Sequence, residues 1–466
     1  MYADPQTRED LEVFRATGTG RSLVDLVDRC QTPGGRRRLR ERLGSPSSDR
    51  TVLARWFDAV SWLARQQAER KPDALLPTIP SHAVEAFSRY LDHPLSTTGD
   101  RSLQMGQIET LWITLRDPEL VELAEGGHVS LHEILEGVLP LARRLCNPSG
   151  SAPSGSAPSG SAPSALRVVG ESLLRIEAKL GLQKGVAEAR SRMRLLALDD
   201  HLRRRHRGDL LRLLSLVAEL DVYLGLAELV HEGWAVPALT PAEAEGSSRR
   251  RCLTLSAAWH PSLPDGVRND WTLGDGAPVQ LLTGPNMAGK TTALRVLGTC
   301  TWLAHCGLPV PAEAMVFAPL GTLHVTLHPR DDLAAGVSLF LAEILRVRAF
   351  LESVTGGMPT LGIFDELFRG TNPTDAREAT RRVVCALARS RNASLVLSTH
   401  LAELVDELTD IPGSAALSLT GQVGKAGLIF DFRIRSGVSH QRLGLSLLDH
   451  YGIDLLLTQI DRAQGA

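Results

Sequence analysis

The sequence predicts an all-helical region followed by an α/β domain built on a mostly parallel sheet. Three observations carry this reading. Up to about residue 245 apolar residues recur at helical spacing; from about 250 short apolar strands alternate with helical segments; and GPNMAGKTT (284–292) stands directly behind one such strand, VQLLT.

The helical region contains LVDLVDRC (23–30), LARWFDAVSWLARQ (53–66) and DLLRLLSLVAELDVYLGLAELVHEG (209–233), each spaced as an amphipathic or buried helix. It is interrupted by NPSGSAPSGSAPSGSAPSA (147–165), a repeat of small residues that offers no side chain to a core and is expected to be a flexible linker. The expected organisation is therefore a first helical part over 1–146, the linker over 147–165, a second helical part over 166–245 and the α/β domain over 246–466. In that last domain VQLLT, TLHVTL, TLGIF and SLVLST are the expected strands.

Composition narrows the function classes. Hydrophobic residues make up 43% and charged residues 22% of the 466, as in ordinary soluble proteins, and a net charge of −2 confines any nucleic-acid surface to a local patch. The six cysteines (Cys30, Cys146, Cys252, Cys300, Cys306, Cys385) form no CxxC pair and read as reduced thiols of a cytoplasmic protein. No run of eighteen apolar residues and no leader-like amino terminus occurs, so no membrane span is expected.

Gly284, Gly289, Lys290 and Thr291 meet the spacing G-x-x-x-x-G-K-[ST]. The glycines let backbone N–H groups of Gly284, Pro285, Asn286, Met287, Ala288, Gly289, Lys290, Thr291 and Thr292 (proline excepted) turn around phosphate oxygens. Lys290 reaches the outer phosphates, and the Thr291 hydroxyl suits Mg²⁺. LGIFDEL puts Asp365 and Glu366 at the carboxyl end of a buried strand. An acidic pair there is often only a solvated turn; beside a phosphate loop it reads as a Mg²⁺ ligand, Asp365, and a water-activating base, Glu366. SLVLSTH ends a further strand on His400, placed to sense the terminal phosphate. The loop and the acidic pair imply a bound nucleotide with Mg²⁺.

Several stretches in order resemble the MutS family of DNA mismatch-repair ATPases. GPNMAGKTT, DDLAAGVSLFLAEI (331–344), DELFRGTNPTDA (365–376) and STHLAEL are similar to its ATPase motifs. SLVDLVDRCQTPGGRRRLRERLGSP (22–46) and LVAELDVYLGLAELVHEGWAVP (216–237) are similar to its core and lever segments, and WHP (259–261) and ND (269–270) match short landmarks. The resemblance implies an ABC-type phosphate-loop ATPase domain behind an all-α core and lever domain, and a homodimer stabilised by ATP. Lys290, Glu366 and His400 would act in catalysis within one subunit, and Ser338 would reach the nucleotide of the other. It implies DNA as a partner, in mismatch repair or a related process.

Four departures qualify the resemblance. Gly266 stands where the family often has an aromatic ring against adenine, and Phe432, in IFDFRIRSG, is the expected substitute. The only Phe-x-Glu triplets, at 350–352 and 364–366, lie in the ATPase domain, so a mismatch-reading wedge is not expected. The clamp is expected to be reduced, and HLRRRHRGD (201–209) makes Arg203, Arg204, Arg205 and Arg207 the candidate DNA-phosphate contacts, the alternative being a solvated helix tip or an intramolecular partner for acidic residues. The carboxy-terminal dimerising hairpin is expected to be shortened. The competing expectation is an ATP-gated dimeric scaffold that grips a protein rather than DNA.

Overall fold

The computed structural model describes residues 1–68, 79–93, 118–146, 161–180, 198–199, 201–241, 251–263, 265–274, 276–327, 339–424, 427–441 and 452–464. They form two units: Met1–Leu26, Ser45–Ala54 and Gly233–Ala466 in one, Val27–Gly44 and Arg55–Glu232 in the other.

The first unit is α/β. Its strands are β1 (Tyr2–Ala3), β2 (Ala238–Leu239), β3 (Arg251–Ala258), β4 (Asn269–Gly274), β5 (Val279–Thr283), β6 (Ala314–Phe317), β7 (Thr322–Thr326), β8 (Thr360–Asp365), β9 (Ala393–Ser398), β10 (Ser414–Ser418), β11 (Gly421–Gly424), β12 (Gly427–Phe430) and β13 (Arg435–Ser436). Seven of them build the main sheet in the order β1-β7-β8-β9-β5-β10-β13, parallel throughout except for the antiparallel edge strand β13. All residues of β5, β7, β8 and β9 are buried, which is why their sequences run apolar without alternating. Val279, Leu281, Phe350, Phe364, Leu395, Leu397 and Leu404 fill one layer between sheet and helices. A second sheet, β2-β6-β3-β4, is mainly antiparallel, and β11-β12 is a separate hairpin.

The four strands expected from the apolar runs are the four central strands of the main sheet. The amino-terminal residues are placed differently from expectation. Residues 1–26 belong to the α/β unit, not to the helical one. Leu11, Val13, Leu23 and Val24 are buried but too sparsely spaced to mark an element, and polar bonds add to their hold. Tyr2–Ala3 adds a parallel strand beside Thr322–Leu323, the Thr7 hydroxyl accepts from Val325 N at 3.0 Å, and Asp10 Oδ2 accepts from Leu327 N at 2.9 Å. Thr7 and Asp10 are buried, so each bond satisfies a backbone donor that would otherwise be orphaned.

The second unit is helical: Pro33–Leu43, most of Arg50–Ala68, Ser81–Asp92, Pro118–Cys146, Ser164–Leu180 and Arg207–His231. Buried Asp221 in the last of these accepts from Gln31 N, Thr32 N and the Thr32 hydroxyl, which itself caps Pro33–Leu43 by accepting from Gly35 N. A Cβ at Gly35 would lie 2.1 Å from Asp221 Oδ2, so only glycine permits this approach. Of the linker expected over 147–165, residues 147–160 lie outside the described residues; Ala162 is buried, and a helix begins at Ser164. Cys30, Cys146, Cys300, Cys306 and Cys385 are in no disulfide, and among the described residues no helix is long and apolar enough to cross a membrane.

Candidate functional site

The site is assembled at the carboxyl ends of β5, β9 and β8, which stand side by side in the sheet. After β5 the chain turns through Gly284, at φ 147°, and Gly289, at φ 92°, before the helix Lys290–His305. A Cβ at Gly284 would sit 2.5 Å from the Leu419 carbonyl oxygen, and one at Gly289 3.1 Å from the Phe432 ring. Both positions therefore need glycine for conformation, and Gly284 for space as well. Gly289 is the N-cap and supplies no side-chain bond to the first-turn N–H groups, which at a helix N-terminus favour an anion.

Pro285 and Ala288 are buried under the loop, while Asn286, Met287 and Thr292 are exposed at its rim. Lys290 is 6% exposed and its Nζ donates to Gly284 O at 2.7 Å and Pro285 O at 3.1 Å. Burial lowers its pKa, opposed by the nearby charges of Glu366 and Asp365. Thr291 Oγ1 donates to Asp365 Oδ2 at 2.5 Å, and the Ser398 hydroxyl donates to Asp365 Oδ1. The second contact follows from strand register, since Asp365 and Ser398 are paired across β8 and β9. Thr291 and Asp365 together offer two hard oxygens, a set that fits Mg²⁺, which takes few protein ligands and completes its shell with water and phosphate.

Glu366 follows at φ 59°, its N–H bonded to Ser398 O at 3.0 Å. One carboxylate oxygen is 2.8 Å from Arg369 Nε and the other 3.3 Å from His400 Nδ1. Burial alone would raise the Glu366 pKa, but the His400 hydrogen bond and the Arg369 charge outweigh it and hold the group below the ordinary range. The same bond raises the pKa of His400, whose ring is largely exposed. Phe368, at φ 62°, is buried behind this turn.

Beside the glycine loop lies an apolar cavity of about 460 Å³, with Val267, Met287, Gly289, Val296, Phe432 and Ile434 among its walls. Phe432 sits at φ 54° and is 43% exposed, tilted against Phe430 with ring centroids 5.9 Å apart. Asn269 holds it there: Nδ2 donates to Phe432 O at 2.9 Å, and Oδ1 accepts from Ile434 N at 2.8 Å. Gly266 also lines the cavity. A Cβ there would already lie 2.9 Å from Leu263 O, so this backbone has no room for an aromatic residue. Four of the six described non-glycine residues at positive φ (Met287, Glu366, Phe368 and Phe432) surround this one region, the concentration of backbone strain common at functional sites.

The structure brings together Gly284 to Thr292, Asp365, Glu366, His400 and Phe432. Ser338 lies outside the described residues. The arginine run is split. Arg203, expected at a phosphate, is 2% exposed and bound through Nε and Nη2 to Asp199, so it is committed to the interior; burying it unpaired would cost too much for the chain to do otherwise. Arg207 is half-buried and donates to Leu91 O, whereas Arg204 and Arg205 are exposed on the π-helical turn His201–Arg205. Ser398, Arg369 and Asn269 join the site in the structure without a motif role that marks them in the sequence. Their letters sit inside the motifs, but their partners follow from strand order and turn geometry.

The model of MutS domain III matches residues 6–227 and that of MutS domain V residues 280–460. The chain is 26% identical to the DNA mismatch repair protein MutS of Granulibacter bethesdensis, over 97% of this chain and 56% of that protein. It is 26% identical to the protein of the same name from Ruegeria sp., over 97% and 60%. It thus spans little more than half the length of these relatives. With domains III and V matched in order along nearly the whole sequence, the chain belongs to the MutS family.

Proposed function

We propose that this protein binds and hydrolyses ATP with Mg²⁺ and couples that cycle to a rearrangement of a homodimer and to DNA, in mismatch repair or a related repair or recombination process. The observation that carries the reading is the convergence of Lys290, Thr291, Asp365, Glu366 and His400 on one glycine-bracketed helix N-terminus, beside a cavity lined by Phe432.

The loop from Gly284 to Gly289 would wrap the phosphates with its N–H groups, and Lys290 would exchange its two carbonyl partners for phosphate oxygens. Mg²⁺ held by Thr291 and Asp365 would neutralise charge on the departing phosphate. Glu366, kept ionised by Arg369 and His400, is the general base that orients and deprotonates water; His400 reports the terminal phosphate back to it. The purine stacks on Phe432 within the apolar cavity. Ser338 completes the site of a second copy, and the helical residues serve as core and levers. DNA phosphates meet Arg204 and Arg205, the exposed half of the arginine run.

The test is ATP turnover with and without homoduplex, mismatched, branched and single-stranded DNA at two salt concentrations. Salt-sensitive stimulation or inhibition by one form is expected. Turnover indifferent to every DNA, with no DNA binding in any nucleotide state, would refute the DNA coupling; no turnover at all would refute the hydrolase reading.

A further inference from the structure

The turn that carries Glu366 is strained, and something must hold it. Glu366 and Phe368 both sit at positive φ, a strained conformation for a non-glycine residue that relaxes unless its surroundings forbid it. The restraint comes from the first turn of the helix Leu339–Thr355. Phe340 stacks edge-on against Phe368, with ring centroids 6.5 Å apart. A Cβ at Gly370 would fall 2.8 Å from both the backbone N and the Cβ of Phe340, so the turn is pressed onto the helix without space between them.

Glu343 lies one helical turn further on and is 3% exposed. Its Oε2 accepts from Gly370 N at 3.4 Å, and the Arg369 N–H also points at the carboxyl group. The charged groups facing it are the Arg369 guanidinium, which favours the carboxylate, and Glu366, which opposes it; burial is the largest influence and raises its pKa. Oε1 is buried and has no hydrogen-bond partner among the described residues. A buried carboxylate with one oxygen unsatisfied is a poor stabiliser, and an apolar side chain of similar volume would serve packing better. Stability does not explain an acid here.

We propose that Glu343 is a positioning residue for ATP hydrolysis: its carboxylate grips the Arg369–Gly370 backbone and so holds Glu366 and Arg369 in their strained, water-activating arrangement. The proposal rests on the assignment of Glu366 as the base. Glu343 is buried and its carboxylate bonds to the backbone of the turn, not to the glycine loop, so its loss is expected in kcat and not in affinity.

The experiment compares the wild-type chain with Glu343→Met and Glu343→Gln, measuring ATP·Mg²⁺ affinity by calorimetry, kcat from steady-state turnover and Tm. Glu343→Met is expected to keep or raise Tm, leave the ATP Kd within about threefold, and lower kcat at least about tenfold. Glu343→Gln retains an acceptor for Gly370 N and is expected to recover most of the loss. A Glu343→Met kcat within about twofold of wild type overturns the proposal, as does a fall in Tm or a loss that glutamine does not recover. If Glu343→Met loses kcat as expected while Glu366→Gln turns over normally, the base assignment fails and the positioning claim falls with it. If Glu366→Gln is inactive and Glu343→Met is normal, only the claim for Glu343 fails.

Discussion

Asn269→Ala isolates base binding from chemistry. The amide makes two hydrogen bonds to the loop that presents Phe432, one to Phe432 O and one from Ile434 N. At about 0.5–1.5 kcal/mol net for each, their removal costs the loop roughly 1–3 kcal/mol. That is comparable with the roughly 1–3 kcal/mol of strain held at Phe432, whose φ is 54°, so the loop is expected to relax and withdraw the ring from the cavity wall. Nothing in this change touches Lys290, Asp365 or Glu366. ATP Kd is therefore expected to rise about tenfold, equivalent to about 1.4 kcal/mol, with kcat at saturating ATP within about twofold of wild type. Titration of ATP binding beside steady-state turnover checks both halves. An unchanged Kd would show that Phe432 is not the base platform, and a collapse of kcat would show that the loop reaches the reacting groups.

Other perturbations have equally defined outcomes. Glu366→Gln should bind ATP normally and lower turnover at least about a hundredfold, accumulating ATP-bound dimer visible by light scattering; normal turnover would remove Glu366 from its assigned role. Gly284→Ala should abolish ATP binding, because its Cβ would meet the Leu419 carbonyl at 2.5 Å in a conformation only glycine tolerates; calorimetry with ATP reads this directly. Buried His305 must carry its proton on Nδ1, which donates to Thr301 O, because Nε2 accepts from Leu320 N. Burial pushes its pKa down to about 4, so the neutral ring's contribution to stability is complete above about pH 6.5 and is lost as pH falls towards 4, roughly 3 kcal/mol in all. Denaturant melts of wild type and His305→Gln at pH 7.5 and 4.5 should converge at the lower pH, and parallel curves would contradict this. Asp221→Ala should cost the helical unit roughly 3 kcal/mol, since Gln31 N, Thr32 N and the Thr32 hydroxyl all lose their acceptor, as read from urea unfolding.

The residues in the sequence that determined their own placement were those under local rules. Four buried strands announced themselves as uninterrupted apolar runs, and Gly284, Gly289, Lys290 and Thr291 declared a strand–turn–helix because the turn needs positive φ at fixed spacing. Asp365 and Glu366 could be placed because a buried strand ends at them. What only the tertiary structure decided was partnership at long range. Ser398 meets Asp365 because β9 lies beside β8, Asn269 reaches Phe432 across more than 160 residues of sequence, and residues 1–26 join the α/β unit through polar bonds and a few buried apolar side chains that leave no periodic trace. Arg203 shows the limit most plainly. Its charge and neighbours match those of Arg204 and Arg205, yet one faces Asp199 in the interior and the others face solvent. Composition assigns a charge to each of them, and only the fold assigns the dielectric in which that charge acts.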